Sequence, residues 1–321
     1  CKSFATDAAA LPSHWAPPAF ALTFFANSGS CVACCRTVTL IVWVNGRGFL
    51  VDPCSACYSN LAKSGLLPYI TCIILTHCHA DAVSGVLPFY RASCTQHLPL
   101  LTTRTVLESF KRQIAGFAQL PSTLDFRSVR VREPLFFGDA TLLFTYAFHT
   151  VPTLSFQVMY RSKKIWYSGP SYYKPELYCD MRRAGAMTLR REAELLHVGS
   201  DSDIIAAGVG LAPLLTDVVR LCTLPQPLRQ NVVLVNFSRG HDVPGIHTAL
   251  LRVAQYGIHH TVPVTLGDFV QGYHRASEVL SLVCSAPYLC NLSAPFVSTI
   301  VGAMAEQHYE EGAVIVDSRA D

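Results

Sequence analysis

Charged side chains are scarce in this chain of 321 residues, since Asp, Glu, Lys and Arg make up only 15% of it. The formal net charge is +3, and the 25 Lys and Arg residues are scattered along the sequence. The longest basic patch covers residues 161–164, which we interpret as a solvated turn. Nucleic-acid-binding domains concentrate positive charge on one face, so a nucleic-acid partner is not expected.

Long apolar runs are absent too, although half of the residues are hydrophobic. A membrane-spanning helix needs roughly 18–20 consecutive apolar residues, and no segment reaches that length. A charged and then apolar secretion signal is also missing at the start. The sequence begins with Cys1 rather than Met, so we expect it to be a piece of a longer product. Together these features predict a cytoplasmic protein without a membrane partner.

Cysteine, in contrast, is abundant, with 13 residues. Without a secretion signal, we expect these thiols to be reduced. Cys31, Cys34, Cys54 and Cys57 form two Cys-x-x-Cys pairs with 19 residues between them, which is close to a zinc-ribbon spacing. A hairpin predicted over residues 37–52 would bring both pairs to its open end. A structural zinc ion is one interpretation, and chance spacing in a cysteine-rich chain is the other.

The most informative segment is an apolar strand that ends in a cluster of metal-binding residue types. Side chains alternate along a strand, so His77 and His79 point to the same side and Cys78 points away as a core thiol. Asp81, at the start of the next helix, can reach the same pocket. Imidazoles and carboxylates are zinc ligands. The alternative is that both histidines are buried and hydrogen-bonded to the backbone.

The rest of the chain alternates strands with helices in two sequence halves. Helices are predicted over residues 102–120 and 175–196. Strands are predicted near residues 20–25, 129–137, 140–148, 154–160 and 164–168. This order predicts an α/β fold in which two mixed sheets form a sandwich with helices outside. His149 follows one of the strands directly, as His77 follows another.

The order of these motifs resembles the metallo-β-lactamase superfamily from about residue 20 to about residue 270. Asp52 matches an early family aspartate, residues 76–81 match most of the His-x-His-x-Asp-His motif, and Gly85 matches the glycine that follows it. His149 occupies the place of a third histidine, in a context similar to the phosphodiesterase and tRNase Z branch. The resemblance implies an αββα sandwich with one zinc ion held by His77, His79 and His149. Asp81 would then be the catalytic residue that orients a bound water.

The sequence departs from the family pattern at the second metal position. Ala82 replaces a histidine, Pro170 replaces the bridging aspartate, Asn236 replaces the final histidine, and residues 206–207 are Ala-Ala where related sequences have His-Glu. Alanine and proline side chains cannot bind a metal, and an amide is a poor zinc ligand. A two-metal mechanism needs both ions, so the resemblance predicts that this mechanism is lost. Cys78 or the loop residue His241 could serve as substitute ligands.

The last segment, residues 271–321, resembles the opening of a cyclic-nucleotide-binding domain, with two helical segments and then a strand at Tyr309–Val316. The full-length protein would then bind a cyclic nucleotide. The alternative is a helical extension that packs on the first domain. We therefore divide the chain into a metallo-β-lactamase-like domain at residues 1–270 and a partial sensor domain at residues 271–321.

Two functions follow from this interpretation. The first is a degenerate, non-catalytic or regulatory scaffold that is linked to a cyclic-nucleotide sensor and serves an unidentified regulatory partner. The alternative is a single-zinc hydrolase that acts on a phosphodiester or an ester. Metal content and turnover separate the two.

Overall fold

Two seven-stranded sheets form the framework of the described chain. The computed structural model describes residues 15–25, 38–79, 84–92, 98–116, 124–197, 199–209, 216–235 and 251–266. The strands are β1 Phe20–Phe25, β2 Thr39–Val44, β3 Arg47–Val51, β4 Ile70–Ile74, β5 Pro99–Thr102, β6 Asp125–Ser128, β7 Pro134–Phe137, β8 Ala140–Tyr146, β9 Leu154–Tyr160, β10 Lys163–Tyr167, β11 Ile204–Gly208, β12 Val232–Val235, β13 Arg252–Val253 and β14 Val262–Pro263.

The helices of the described residues lie between these strands. They are α1 Cys57–Lys63, α2 Val86–Ala92, α3 Arg104–Ile114, α4 Pro175–Arg183, α5 Leu189–Leu196, α6 Val218–Cys222 and α7 Gln226–Arg229, with 3₁₀ turns at Leu67–Tyr69 and Ile258–His260. Within the described ranges, no helix is long and apolar enough to cross a membrane.

Both sheets are mixed, and each combines a group of antiparallel strand pairs with a group of parallel pairs. The first runs β14-β1-β2-β3-β4-β5-β6 and the second β13-β12-β11-β10-β9-β8-β7. In the first sheet, β14 to β3 pair antiparallel and β3 to β6 pair parallel. In the second, β7 to β10 pair antiparallel and β10 to β13 pair parallel. This confirms the predicted fold class.

Side-chain packing defines four layers. Between the sheets, Phe20 contacts Tyr160 with ring centres 5.6 Å apart, and Phe49 contacts Phe137 at 5.4 Å. On the outer face of the first sheet, the buried side of α3 packs into the same apolar cluster as Ile73 and Leu100 of β4 and β5. On the outer face of the second, α6 packs against β11 and β12. The order is therefore helix, sheet, sheet, helix.

The β2–β3 hairpin turns where the sequence predicts it. Val44 pairs with Arg47, which leaves a two-residue loop. Asn45 and Gly46 both have positive φ, at 48° and 75°. This is the turn class that Asn-Gly favours, because both residues adopt the left-handed region at low cost.

Other predicted boundaries need correction. The single helix expected over residues 175–196 is two helices, because Gly185 adopts a left-handed φ of 72° and Thr188 caps the start of α5. The helix expected from residue 102 begins at Arg104, after the strand β5 and the cap residue Thr103. The short strand β6 was not predicted, since its four residues lack a clear apolar pattern.

The chain divides into two compact units, Cys1–Thr265 and Leu266–Asp321. Apart from Leu266, the second unit lies outside the described residues. The sensor domain expected at residues 271–321 therefore stays a prediction.

Candidate metal centre

Three histidines meet where β4 of the first sheet and β8 of the second lead into loops. The ring centres of His77 and His79 are 4.8 Å apart, and that of His149 lies 5.2 Å from His79 and 6.3 Å from His77. His77 is fully buried, whereas His79 and His149 are half-buried. The predicted histidines thus form one cluster, in which His77 is enclosed and the other two residues are partly exposed.

A relay of hydrogen bonds fixes the ring of His77. Thr76 Oγ1 donates to Asp52 Oδ2 at 2.5 Å and lies 2.9 Å from His77 Nδ1. The hydroxyl hydrogen is used toward Asp52, so the hydroxyl oxygen accepts from an Nδ1–H. This tautomer makes Nε2 the nitrogen through which His77 would bind a metal. A carboxylate behind a histidine is the usual support of a metal ligand.

Asp52 is the centre of that relay. Its carboxylate is buried, accepts from the Thr76 backbone N–H at 2.8 Å and lies 3.6 Å from His77 Nδ1. Its own backbone is in the left-handed region, with φ of 45°. For a non-glycine residue this costs on the order of 1–3 kcal/mol. Two hydrogen bonds hold the backbone of Asp52 in this conformation. The Asp52 N–H donates to the Ile74 carbonyl, and Thr39 Oγ1 donates to the Asp52 carbonyl.

In the sequence, Asp52 is identifiable only through the family resemblance, and the roles of Thr39 and Thr76 are not predicted. These two threonines and Asp52 are all completely buried polar residues. Buried polar groups are hydrogen-bonded as a rule. The sequence signal for them is a threonine or aspartate next to an apolar strand. A polar side chain that is buried at such a place needs a hydrogen-bond partner.

The loop that carries His149 is tied to both sheets. Leu154 N–H donates to the Thr76 carbonyl at 2.9 Å, which joins this loop to the residue before His77. Ala147 N–H donates to the Thr153 carbonyl at 2.8 Å. Arg191 of α5 donates to the Ala147 carbonyl at 3.3 Å. These hydrogen bonds therefore position the loop that carries His149.

The cluster fits zinc by its donor chemistry and only partly by its geometry. Two imidazoles on one tetrahedral zinc, with bonds of about 2.0–2.1 Å, have ring centres roughly 5 Å apart. The two separations that involve His79 agree with this, and the 6.3 Å between His77 and His149 is longer. Within the part of the chain that the structure describes, no group of three or more His, Cys, Asp or Glu side chains is arranged to hold a metal ion. Binding would thus require the half-buried rings to reorient.

In the second sheet, the turn after β10 and the end of β11 carry small residues. A Cβ added to Gly169 would lie 2.6 Å from the Leu154 carbonyl, and one added to Gly208 would lie 2.7 Å from the Gly169 carbonyl. Pro170 is buried beside them. Ala207 packs into the outer cluster with α6. These positions offer no side chain that binds a metal.

Several predicted residues lie outside the described residues: Asp81, Ala82, Asn236, His241, Cys31 and Cys34. Cys78 is described, and its thiol donates to the Val106 carbonyl of α3 at 3.1 Å. It packs against the outer core, as predicted for a core thiol. Burial and then the negative charge of Asp52 raise the pKa of Cys78 to about 12.

Gly85, at the start of the α2 region, is required by a close approach. A Cβ at this position would lie 1.9 Å from the Pro53 carbonyl and 2.2 Å from the Cys54 carbonyl. Packing therefore demands a glycine at the position where the family resemblance places one. The start of α2 therefore lies directly against the segment that follows Asp52.

Comparison with known proteins agrees with this architecture. Residues 47–189 match the family model described as the beta-lactamase superfamily domain. Solved structures with the same fold include the metallo-β-lactamase fold protein YhfI from Bacillus subtilis, with 15% identity, a TM-score of 0.53, and coverage of 74% of this chain and 97% of that one. Human tRNase Z, short form, is 14% identical, with a TM-score of 0.54 and coverage of 77% and 100%. The chain thus has the metallo-β-lactamase sandwich fold.

Two curated relatives are similar in sequence, and both are from Dictyostelium discoideum. The cGMP-dependent 3',5'-cGMP phosphodiesterase A is 31% identical over 307 residues, which cover 94% of this chain and 34% of that protein. The cAMP/cGMP-dependent 3',5'-cAMP/cGMP phosphodiesterase B is 31% identical over 219 residues, which cover 66% and 20%. The chain therefore spans about a third or less of the length of these relatives.

Proposed function

We propose that this chain is a phosphodiesterase-derived domain that binds one zinc ion and has lost rapid hydrolysis, and that it serves as a regulatory scaffold. The observation that carries the proposal is an asymmetry of the site. Three clustered imidazoles are backed by the Asp52–Thr76 relay. The neighbouring strand ends at Pro170 and Ala207 provide no ligand.

Zinc would be held by His77, His79 and His149. When bound, it supplies a Lewis acid and lowers the pKa of a coordinated water to about 7. The chain itself contributes orientation: Asp52 and Thr76 fix the His77 tautomer, and Leu154 holds the His149 loop against Thr76. Asp81 is proposed as the residue that orients water. None of these groups replaces a bridging carboxylate.

Loss of the second set of ligands argues against fast turnover. In-line displacement at a phosphodiester is helped most when two ions stabilise the attacking and the leaving oxygen together. Pro170 and the pair Ala206-Ala207 stand where the resemblance places a bridge and a proton-transfer pair. A pocket that keeps its histidines without these groups is suited to binding a ligand and poorly suited to cleaving it.

A second candidate is a single-zinc phosphodiesterase. The 31% identity to two cyclic-nucleotide phosphodiesterases favours it, because a relative's substrate is the first one to test.

The proposal also includes the partners of the protein and its compartment. Residues 271–321 are proposed as the start of a cyclic-nucleotide sensor, which the intact protein would complete. A regulatory protein is the proposed partner, rather than a membrane or a nucleic acid. The described cysteines are all free thiols, which supports a reducing compartment such as the cytoplasm.

The test combines metal content with turnover on the purified chain, prepared without chelators. We expect one zinc ion per chain, its loss in the variants His77→Ala and His149→Ala, and no release of 5'-GMP or 5'-AMP from cyclic GMP or cyclic AMP. The variant His259→Ala serves as the control, because that residue lies in the 3₁₀ turn Ile258–His260. Zinc-dependent hydrolysis that both cluster variants abolish would establish the second candidate. Absence of zinc from the wild-type chain would refute both.

A further inference from the structure

Cys54 and Cys57 form a buried pair of thiols that the proposed function does not use. The two residues are only 4% and 3% exposed. The Cys57 N–H donates to the Cys54 carbonyl at 2.9 Å, which closes a tight four-residue turn. Such turns bring the first and fourth Cα atoms within about 7 Å. Disulfides require Cα separations of roughly 4.4–6.8 Å, so the backbone already has the span of a disulfide.

The contact between the two thiols moves their pKa values in opposite directions. A hydrogen bond from Cys57, opposed by burial and helped by contacts with Thr39 and Ala56, lowers the pKa of Cys54 below its ordinary value. The same bond, together with burial and the charge on Cys54, raises the pKa of Cys57 well above its ordinary value. A thiolate beside a protonated thiol is the arrangement of a reactive cysteine with a resolving partner.

Other described cysteines lack this pairing. Burial raises the pKa of Cys72 far above its ordinary value, and it raises that of Cys222 as well. The Cys78 thiol is engaged by a backbone carbonyl. Cys179 contacts the Arg182 guanidinium at 3.8 Å and has no neighbouring thiol among the described residues. Among the described cysteines, disulfide formation is therefore expected at the Cys54–Cys57 pair.

We propose that Cys54 and Cys57 are a site of reversible oxidation by peroxides. The Cys54 thiolate attacks one oxygen of hydrogen peroxide, the O–O bond breaks, and with one proton the products are Cys54 sulfenic acid and water. The Cys57 sulfur then attacks the Cys54 sulfur, and the hydroxyl leaves with the Cys57 proton as a second water. Peroxide is reduced, and two thiols become one disulfide.

The position of the pair links it to the histidine cluster. Cys54 N–H donates to Thr39 Oγ1 at 2.8 Å, and Thr39 Oγ1 donates to the Asp52 carbonyl at 2.9 Å. The Cys54 carbonyl also lies against Gly85. Closing a disulfide therefore acts on the segment that carries Asp52, the residue behind His77. Ser55, within the same turn, is exposed, so the turn lies at the surface.

The test is disulfide mapping on the whole reduced chain after brief exposure to limiting hydrogen peroxide. We expect a Cys54–Cys57 bond, seen by mass spectrometry as one peptide lighter by two hydrogens, before any other cysteine reacts. Dithiothreitol should restore the peptide mass. In Cys57→Ser we expect a dimedone adduct at Cys54, and in Cys54→Ser we expect no oxidation at residue 57. Cys222→Ser is the matched control and should behave as the wild type.

Three results would overturn the proposal. Cys54 could be found bonded to Cys31 or Cys34 instead of Cys57. The wild-type chain could hold a second zinc ion that both Cys54→Ser and Cys57→Ser release, which would make the pair part of a structural zinc site. Both thiols could remain unmodified while Cys222 reacts. The mapping of the wild-type chain needs no variant to fold, so a failure of either variant leaves the test intact.

Discussion

The two sides of the candidate metal centre differ in how completely they are built. On the first sheet, His77 is buried, its tautomer is fixed by Thr76, and Asp52 stands behind both. On the second sheet, the turn after β10 and the end of β11 are equally well packed, but Pro170 and Ala207 at these positions have side chains that cannot bind a metal. The fold therefore maintains its packing throughout, whereas metal-binding side chains remain after β4 and β8 and are missing after β10 and at the end of β11. Packing and ligand identity are separable properties of this sandwich.

The largest expected effect concerns the packing of the histidine side. Gly85→Ala should destabilise the chain by about 3 kcal/mol or more, because its Cβ would overlap two backbone carbonyls that cannot move aside cheaply. Chemical denaturation measures the free energy of unfolding. Gly116→Ala is the control, since a Cβ there meets no atom within 4 Å, and a change of less than about 1 kcal/mol is expected. Equal losses in the two variants would contradict the assigned contact.

The relay behind His77 gives the next effect. Asp52→Ala leaves the buried Thr76 N–H and hydroxyl without their acceptor, and each such loss costs about 1–3 kcal/mol. The affinity for zinc should also fall by about 10–100-fold, as it does when the support of a ligand is removed. Titration calorimetry with zinc measures this change. Asp180→Asn, an exposed helix residue, is the control. Unchanged zinc affinity in Asp52→Ala would show that the relay is structural only.

Restoring ligands at the second metal position would remove the asymmetry. A chain with Pro170→Asp, Ala82→His and Asn236→His together should bind two zinc ions, because these residues replace the side chains that cannot ligate. The zinc content of the purified variant measures the result. Pro170→Asp alone is the control, and one added carboxylate is not expected to hold a second ion. A single zinc in the triple variant would mean that more than ligand identity has been lost.

The smallest effect concerns Glu194, which accepts a hydrogen bond from Arg191. Arg191 in turn donates to the Ala147 carbonyl in the loop that carries His149. Burial opposes ionisation of Glu194, but its hydrogen bond with Arg132 and the charges of Arg132 and Arg191 are stronger and lower its pKa. Because the folded-state pKa lies below the unfolded one, this stabilisation is present above about pH 4.5. It is lost as the pH falls through the folded-state pKa.

Glu194→Gln should therefore cost about 0.5–1 kcal/mol near pH 7, a small value because the pair is partly screened by solvent. The difference from the wild type should shrink at lower pH. Urea denaturation at pH 7 and at pH 3.5 measures both values. A difference that grows toward low pH would contradict the assigned ion pair.

The sequence alone predicts features that depend on neighbouring residues. The Asn-Gly hairpin, the strand β9 and the common face of His77 and His79 all follow from spacing within a few residues. The clustering of His149 with them required the family resemblance, because no local pattern joins positions so far apart in the chain. The relay from Asp52 to Thr76 spans 24 residues and arises from the parallel pairing of β3 and β4. Such a contact depends on strand register, which composition and periodicity do not supply.

The most direct measurement of the central claim is anomalous diffraction at the zinc edge from crystals grown with excess zinc. The account predicts one strong peak among His77, His79 and His149, and no peak beside Pro170 and Ala207. Two peaks at this pocket, or none, would contradict it.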